Sequence, residues 1–341
     1  MEVIVPAAGL SSRFPDMKPK YLLYDYKGQL MIQNALSPYK DFNINIGVLK
    51  EHDEKFQASD FLNYEFEGKL NIVIIDKLTN GPADTVTQII KKSNIDKSSS
   101  IFIKDCDSFF DHDITDGNYV CVSSIAEHEI LKRIAQKSFV ISNEQGIITN
   151  IVEKNIISDT FCVGGYKFNS AELYLNMFDL IKSDKEIFVS HVIQMLLNNK
   201  NIITEKKVKN YIDVGTSEEW FEYNNKPVIF CDIDGTIIKN QTRIGENSYN
   251  SPHQPLNKNV KLLLEYQKSG SQFVFTTSRP QKLELVTRKI LNDLGFKNYK
   301  LVMGLLNSSR ILINDFNSNN PHPRAKAINV YRDSDELNRF M

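Results

Sequence analysis

The chain of 341 residues carries 41 Lys plus Arg against 42 Asp plus Glu, and a net charge of −1 argues against bulk attraction to nucleic acid or an anionic membrane. Hydrophobic residues at 41% and charged residues at 24% are the balance of a soluble globular protein, long enough for two domains. No apolar run approaches the roughly 20 residues that span a bilayer, and four scattered cysteines with no C-x-x-C pair fit a reducing cytoplasm better than a disulfide or zinc framework.

The first predicted element is a strand, Glu2 to Ala8, which opens with no signal-peptide pattern and empties into a Gly/Ser/Arg loop. Apolar runs at Ile44–Leu49, Asn71–Ile75 and Ser100–Lys104 predict further strands, and Gly28–Leu36 and Ala83–Lys92 predict helices. Glu218–Tyr223 reads as a terminal helix, followed by a short polar linker ending in Pro227. A second series then starts: strand Val228–Cys231, helix Lys258–Lys268, strand Gln272–Thr276, helix Lys282–Leu294 and strand Ile311–Ile313. Its length of about 115 residues suits one small domain. The expected fold is therefore α/β, with two Rossmann-like domains over residues 1–224 and 225–341 and ligands at the carboxyl ends of strands.

In the first domain, Gly9 lets the backbone turn, and the N–H groups that follow, through Ser11 and Ser12, can face phosphates. Arg13 offers a planar, permanently charged fork for β- and γ-phosphates, and Lys20 adds charge where a leaving pyrophosphate develops. The strand Ile101–Lys104 ends in Asp105-Cys106-Asp107, whose carboxylates suit Mg²⁺ on a triphosphate. Glu153-Lys154 supplies an acid–base pair, and Asp213 a second strand-end carboxylate. The residues alone also leave open a glycosyltransferase that uses Asp105 and Asp107, or a non-catalytic nucleotide-binding domain.

Taken in order, these segments resemble the sugar-phosphate nucleotidylyltransferase (pyrophosphorylase) family over about residues 1 to 223. The likeness runs from the Gly-x-Ser-x-Arg loop through Gly81-Pro82-Ala83-Asp84, Asp107, Glu153-Lys154 and Gly165-Tyr166-Lys167-Phe168 to Asp213-x-Gly-Thr. It implies that Ala7, Ala8, Gly9, Ser11 and Ser12 cradle the nucleotide, with Gly81, Pro82, Ala83 and Asp84 beside the base. It further implies Mg²⁺ on Asp107 and Asp213, triphosphate on Arg13 and Lys20, sugar hydroxyls on Glu153, acceptor phosphate on Lys154, and Gly165 at the substrate. The partners would be a nucleoside triphosphate and a phosphorylated sugar or polyol. Pro82 and the Ala7-Ala8-Gly9 start of the loop depart from the family's usual pattern, so no base preference carries over.

In the second domain, Asp232-Ile233-Asp234-Gly235-Thr236 follows an apolar strand and places two carboxylates in the loop at its end. Asp232 can act as nucleophile and Asp234 as acid then base, with Mg²⁺ easing approach to a phosphate dianion. Thr277-Ser278-Arg279 ends the next strand with groups for phosphoryl oxygens, and the strand Ile311–Ile313 leads to Asp315 as a third metal ligand. This pattern looks like the haloacid dehalogenase superfamily of phosphatases over residues 227 to about 335. The stretch from Asn314 to Asn329 is similar to small phosphatases found with capsule biosynthesis genes. The resemblance implies a phosphomonoester substrate, a lysine role for which Arg310 stands nearest, and a flap-sized insertion, Lys239 to Pro255, in place of a large cap. The whole chain thus reads as a bifunctional enzyme for surface-glycan precursors, with an oligomer possible. The six histidines form no metal-spaced cluster, and Trp220 reads as helix packing.

Overall fold

The computed structural model describes residues 1–128, 133–240, 253–315 and 325–341, and the chain divides into two compact units, Met1–Asn224 and Asn225–Met341. In the first unit, strands β1 (Glu2–Pro6), β2 (Asn43–Leu49), β3 (Leu70–Ile75) and β4 (Ile101–Lys104) lie parallel in the order β4-β1-β2-β3. Helices α1 (Met31–Leu36), α2 (Lys50–Phe56), α3 (Ala58–Glu65) and α4 (Pro82–Lys92) connect them. Two cores form, one on each face of the sheet. Ile4 packs with Val86, Ile89 and Val192, whereas Val3 and Val5 pack with Tyr21, Leu22 and Leu36. That alternation is the two-residue period of a strand covered on both sides, and it explains why these strands are apolar throughout.

Beyond β4 follow β5 (Ser108–Asp111), β6 (Tyr119–Ser124), β7 (Ser138–Ser142), β8 (Ile148–Glu153), β9 (Thr160–Phe168), β10 (Thr204–Lys207) and β11 (Lys209–Asp213), whose pairings are antiparallel except β10, which runs parallel to β6. The large sheet runs β10-β6-β9-β4-β1-β2-β3, with β7 and β8 attached beside β9, and β5–β11 form a separate ribbon. Helices α5 (Ala171–Asp179), α6 (Val189–Asn198) and α7 (Ser217–Asn224) complete the unit. Because β1 and β4 are parallel neighbours, Ile4 opposite Ile103, their carboxyl ends open on the same side. The Gly9 loop therefore meets the Asp105–Asp107 turn.

The second unit holds β12 (Val228–Asp232), α8 (Asn257–Lys268), β13 (Gln272–Thr276), α9 (Glu284–Asp293) and β14 (Lys300–Val302), with parallel strands in that order. Its core gathers Cys231, Ile233, Leu263, Phe273, Phe275 and Leu291. One expectation is corrected here. Ile311, Leu312 and Ile313 are not a strand; they are exposed, and the third strand is Lys300–Val302. The crossover from β13 through α9 turns at Gly295, φ 96°, and delivers the first extended segment after it to the free edge of β13. Residues 241–252 of the expected flap, Phe316, and Asn320 to Arg324, with His322, lie outside the described residues. No helix among the described residues is long and apolar enough to cross a membrane.

Candidate active site

In the first unit, the loop after β1 does not turn as the sequence predicts. Gly9 has no left-handed φ and only open space where a Cβ would project, whereas Ser11 sits at φ 53°. The Ser11 hydroxyl accepts from the Lys20 N–H at 3.2 Å, which offsets that strain and ties Lys20 to the loop. Gly9 therefore contributes clearance for a ligand rather than the turn itself.

Asp107 lines a cavity of about 470 Å³. Lys20 Nζ donates to its Oδ2 at 2.5 Å, and Arg13 Nη2 stands 3.6 Å from the same oxygen. Burial alone pushes the Asp107 carboxyl up, but Lys20 and Arg13 outweigh it and hold the carboxyl well below the usual range. Asp107 in turn raises the Lys20 ammonium against its own burial. Asp105 shifts the other way, pushed up by burial and then by the Asp107 charge. The ribbon places Asp213 opposite Ser108, so the second carboxylate arrives beside the first. A Cβ built on Gly215 would stand 3.1 Å from Asp107 Oδ2, 3.1 Å from Asp213 Oδ1 and 3.4 Å from Arg13 Nη1. Three groups from three segments thus converge on one glycine.

Mg²⁺ fits this pair. The ion is held by one or two carboxylates completed by substrate phosphates and water, and no group of three or more His, Cys, Asp or Glu side chains converges among the described residues. The turn carrying the first carboxylate is pinned from inside. Lys104 is fully buried and donates to Asp105 O at 2.8 Å, Ser108 O at 2.5 Å and Ser108 Oγ at 2.9 Å. Burial lowers its ammonium to about 8.

Also lining the cavity, β7 and β8 pair Ser138 with Glu153, and the Lys154 N–H donates to Lys137 O at 3.0 Å. Lys137 and Lys154 therefore sit side by side at the open end of the hairpin, both lining the cavity with Arg133. Lys137 forms an ion pair with Asp213, and Tyr211 and Asp213 raise its ammonium against the effect of burial. The Lys154 ammonium lies 4.1 Å from the centre of the Phe188 ring. Glu153 Oε2 accepts from Ser138 and, at 2.5 Å, from Ser190, which orients the carboxylate.

A second cavity of about 390 Å³ adjoins the first and shares Pro6, Gly9, Leu10, Ser12, Pro82 and Glu186 with it. Gly81, φ 104°, caps helix α4 there, with Pro82 at its first position.

The structure brings Ala7, Gly9, Ser11, Ser12, Arg13, Lys20, Asp107, Glu153, Lys154 and Asp213 to the first cavity, and Gly81 and Pro82 to the second. It does not bring four others. Ala8 and Ala83 are buried in the core, and Asp84 faces Asn80 N, 2.9 Å away. Gly165 is a packing glycine whose Cβ would stand 2.8 Å from Phe110; Gly164 lines the cavity instead, at φ 85° against Asp105. Lys137, Arg133, Glu186 and Phe188 were missed. The signal for Lys137 was the hairpin turn Asn143–Gly146, where Asn143 Oδ1 accepts from two N–H groups, because that turn pairs β7 with the strand ending in Glu153.

In the second unit, Asp232 ends β12 opposite Thr276 of β13, so the two strand ends carry Asp232, Asp234 and Thr277 together. Partial desolvation and then Asp234 push the Asp232 carboxyl up. Thr277 Oγ1 lies 3.4 Å from Asp234 Oδ2. Arg279 is not turned toward open solvent as a substrate group. Its buried guanidinium donates to both Asp234 oxygens, at 2.9 and 2.7 Å, and to Thr287 Oγ1 at 3.2 Å, a fork-to-fork pair that fixes the loop. Buried Asn259, also missed, donates to Thr236 O and Ser334 O at 2.8 Å each and braces the same loop. Asp315 does not complete a three-carboxylate set with Asp232 and Asp234, because the strand meant to deliver it is not in the sheet. Ser278 follows Thr277 in the loop after β13, and exposed Arg310 donates to Leu306 O at 2.8 Å and Ser308 O at 2.5 Å. Its charge lowers Asp232 slightly.

No protein-family model matches the chain, and a sequence search of curated proteins finds no match. Solved structures do resemble it. The nucleoside-diphosphate-sugar pyrophosphorylase from Vibrio cholerae RC9 matches with a TM-score of 0.56 at 20% identity, over 64% of this chain and 98% of that one. The inositol-1-phosphate CTP transferase from T. maritima matches at 0.52 and 16%, over 64% and 90%. UDP-glucose pyrophosphorylase complexed with UDP-glucose matches at 0.51 and 16%, over 66% and 97%. These structural neighbours are sugar-phosphate nucleotidyltransferases. At such identities the likeness is one of fold: a mixed α/β architecture with a central sheet, over about two thirds of the chain.

Proposed function

We propose that the first unit transfers a nucleotidyl group from a nucleoside triphosphate to a phosphorylated sugar or polyol, releasing pyrophosphate. The observation that carries this reading is the convergence of Asp107, Asp213 and Arg13 on Gly215, beside Lys20, in a cavity that Lys137 and Lys154 also line. Among the described residues, five basic side chains (Arg13, Lys20, Arg133, Lys137, Lys154) and five acidic ones (Asp105, Asp107, Glu153, Glu186, Asp213) line it. Their near balance leaves two polyanionic substrates short of positive charge, which Mg²⁺ on Asp107 and Asp213 would supply by neutralising the phosphates. An acceptor phosphate oxygen forms a bond to the α-phosphorus while the bond to the bridging oxygen of pyrophosphate breaks. Arg13 and Lys20 meet the charge on the leaving group; Lys154 and Lys137 hold the attacking phosphate. No proton transfer is needed at the reacting atoms, so alignment and charge neutralisation carry the rate. The fold of the neighbours supports this reading. In a folded Asp107→Asn variant, acceptor-dependent pyrophosphate release should vanish, and retained release would exclude Asp107 from the reaction.

For the second unit the paired strand ends favour phosphomonoester hydrolysis: Asp232 attacks phosphorus, the alcohol leaves with a proton from Asp234, and water that gives its proton back to Asp234 then cleaves the aspartyl-phosphate to release inorganic phosphate and restore Asp232. For that proton transfer one of the Arg279 bonds must open. Asp232→Asn should abolish phosphate release from test phosphoesters and leave nucleotidyl transfer intact; unchanged phosphate release would refute the assignment.

A further inference from the structure

The second cavity has a chemical polarity of its own. Apart from Ser12, the side-chain donors that line it face inward to the protein: Thr79 Oγ1 bonds Gly81 O at 3.0 Å, Thr85 Oγ1 bonds the same oxygen at 3.2 Å, and Asn80 Nδ2 bonds Ser183 O at 3.3 Å. Among the described residues, the one ionisable side chain that lines it is Glu186. Two backbone bonds hold Glu186 there, Ile187 N to Asn80 O at 2.8 Å and Ala83 N to Ile187 O at 3.1 Å. Its Cγ would stand 2.8 Å from a Cβ on Gly81, so the side chain lies directly against that glycine. Among the described residues no hydrogen bond or ion pair engages its carboxylate. An ionised carboxylate only accepts hydrogen bonds, so a ligand edge here must donate.

Resting on the nucleotidyl-transfer reading, we propose that Glu186 selects the nucleotide by accepting a hydrogen bond from an exocyclic amino group of the base. Cytosine and adenine present such a donor at the position where uracil and thymine present a carbonyl oxygen, and guanine carries one on its neighbouring edge. Uracil and thymine offer only the ring N3–H, flanked on both sides by carbonyl oxygens whose lone pairs repel the carboxylate, so the contact made with an amino group is weakened there. A hydrogen bond to a charged group contributes enough to separate the two classes by about tenfold to hundredfold. A second role would be distinguishable: a carboxylate that accepts from ribose hydroxyls treats every ribonucleotide alike.

The test measures calorimetric Kd values and kcat/KM for CTP, ATP, GTP, UTP and dTTP with wild type and Glu186→Gln. Glu186 is exposed, so the variant should keep the fold, which circular dichroism checks. Wild type should favour an amino-bearing nucleotide over UTP and dTTP by about tenfold or more, and Glu186→Gln should shrink that ratio. A preference for UTP or dTTP, or an equal loss with all nucleotides in Glu186→Gln, would overturn the proposal. Protein that binds amino-bearing nucleotides selectively but turns none of them over would uphold Glu186 as the selector and refute the transfer reading instead.

Discussion

Gly215→Ala isolates the geometry of the site without removing any charged group. Gly215 does not adopt a left-handed φ, so alanine fits its backbone, and reduced freedom of the unfolded chain should add about 0.4–1 kcal/mol of stability, partly offset by crowding. The new Cβ, however, would lie 3.1 Å from Asp107 Oδ2 and from Asp213 Oδ1, and 3.4 Å from Arg13 Nη1. The two carboxylate oxygens must retreat by a few tenths of an ångström, whereas Arg13 stays in ordinary contact. Misplacement by about 1 Å in an active site can cost 10²-fold, so a displacement of this size should lower kcat by about tenfold. The Mg²⁺ concentration for half-maximal rate should rise in parallel. Pyrophosphate release titrated with Mg²⁺, alongside a thermal melt, reads both quantities. Unchanged kcat and unchanged Mg²⁺ dependence in the folded variant would refute the claim that these groups act together.

Lys104→Met removes the ammonium that ties Asp105 O, Ser108 O and Ser108 Oγ in the core. Each abandoned buried acceptor costs about 1–3 kcal/mol, so with three of them urea titration should show a loss of at least about 3 kcal/mol, and a loss below about 1 would contradict the bracing role. His112, packed among Tyr39, Phe102 and Tyr119, is pushed down to about 4 by burial, from an ordinary 6.5. The unfolded chain takes up that proton first. The contribution of His112 is therefore present in full above about pH 6.5 and is lost as the pH falls toward 4. Denaturant titrations across this window should give a shallower slope for His112→Gln than for wild type, and equal slopes would refute the assignment.

Much of the first unit was legible because its parallel strands are short apolar runs and their carboxyl ends carry polar residues. Arg13, Lys20 and Asp107 follow directly from that pattern. Lys137 did not, since its partner Asp213 reaches it only through the β5–β11 ribbon and the β7–β8 hairpin. Nor did Lys104, because a lysine at a strand end gives no sign that its ammonium turns inward. The turn expected at Gly9 is made instead at Ser11, which holds a left-handed φ and is anchored by a side-chain bond that the sequence does not announce. In the second unit, Ile311–Ile313 and Lys300–Val302 competed for one sheet edge. Composition favoured the first, but the connection through α9 delivered the second. Arg279 looked like a phosphate ligand from its place after Thr277; only the fold shows it spanning both oxygens of Asp234.

The central claim is tested most directly by supplying Mg²⁺, crossing five nucleoside triphosphates with sugar, heptose and polyol phosphates, and identifying the released product. Pyrophosphate that appears only when both substrates are present is the result predicted here. Nucleoside diphosphate release from a nucleotide sugar, or no acceptor-dependent product from folded protein across the panel, would contradict it.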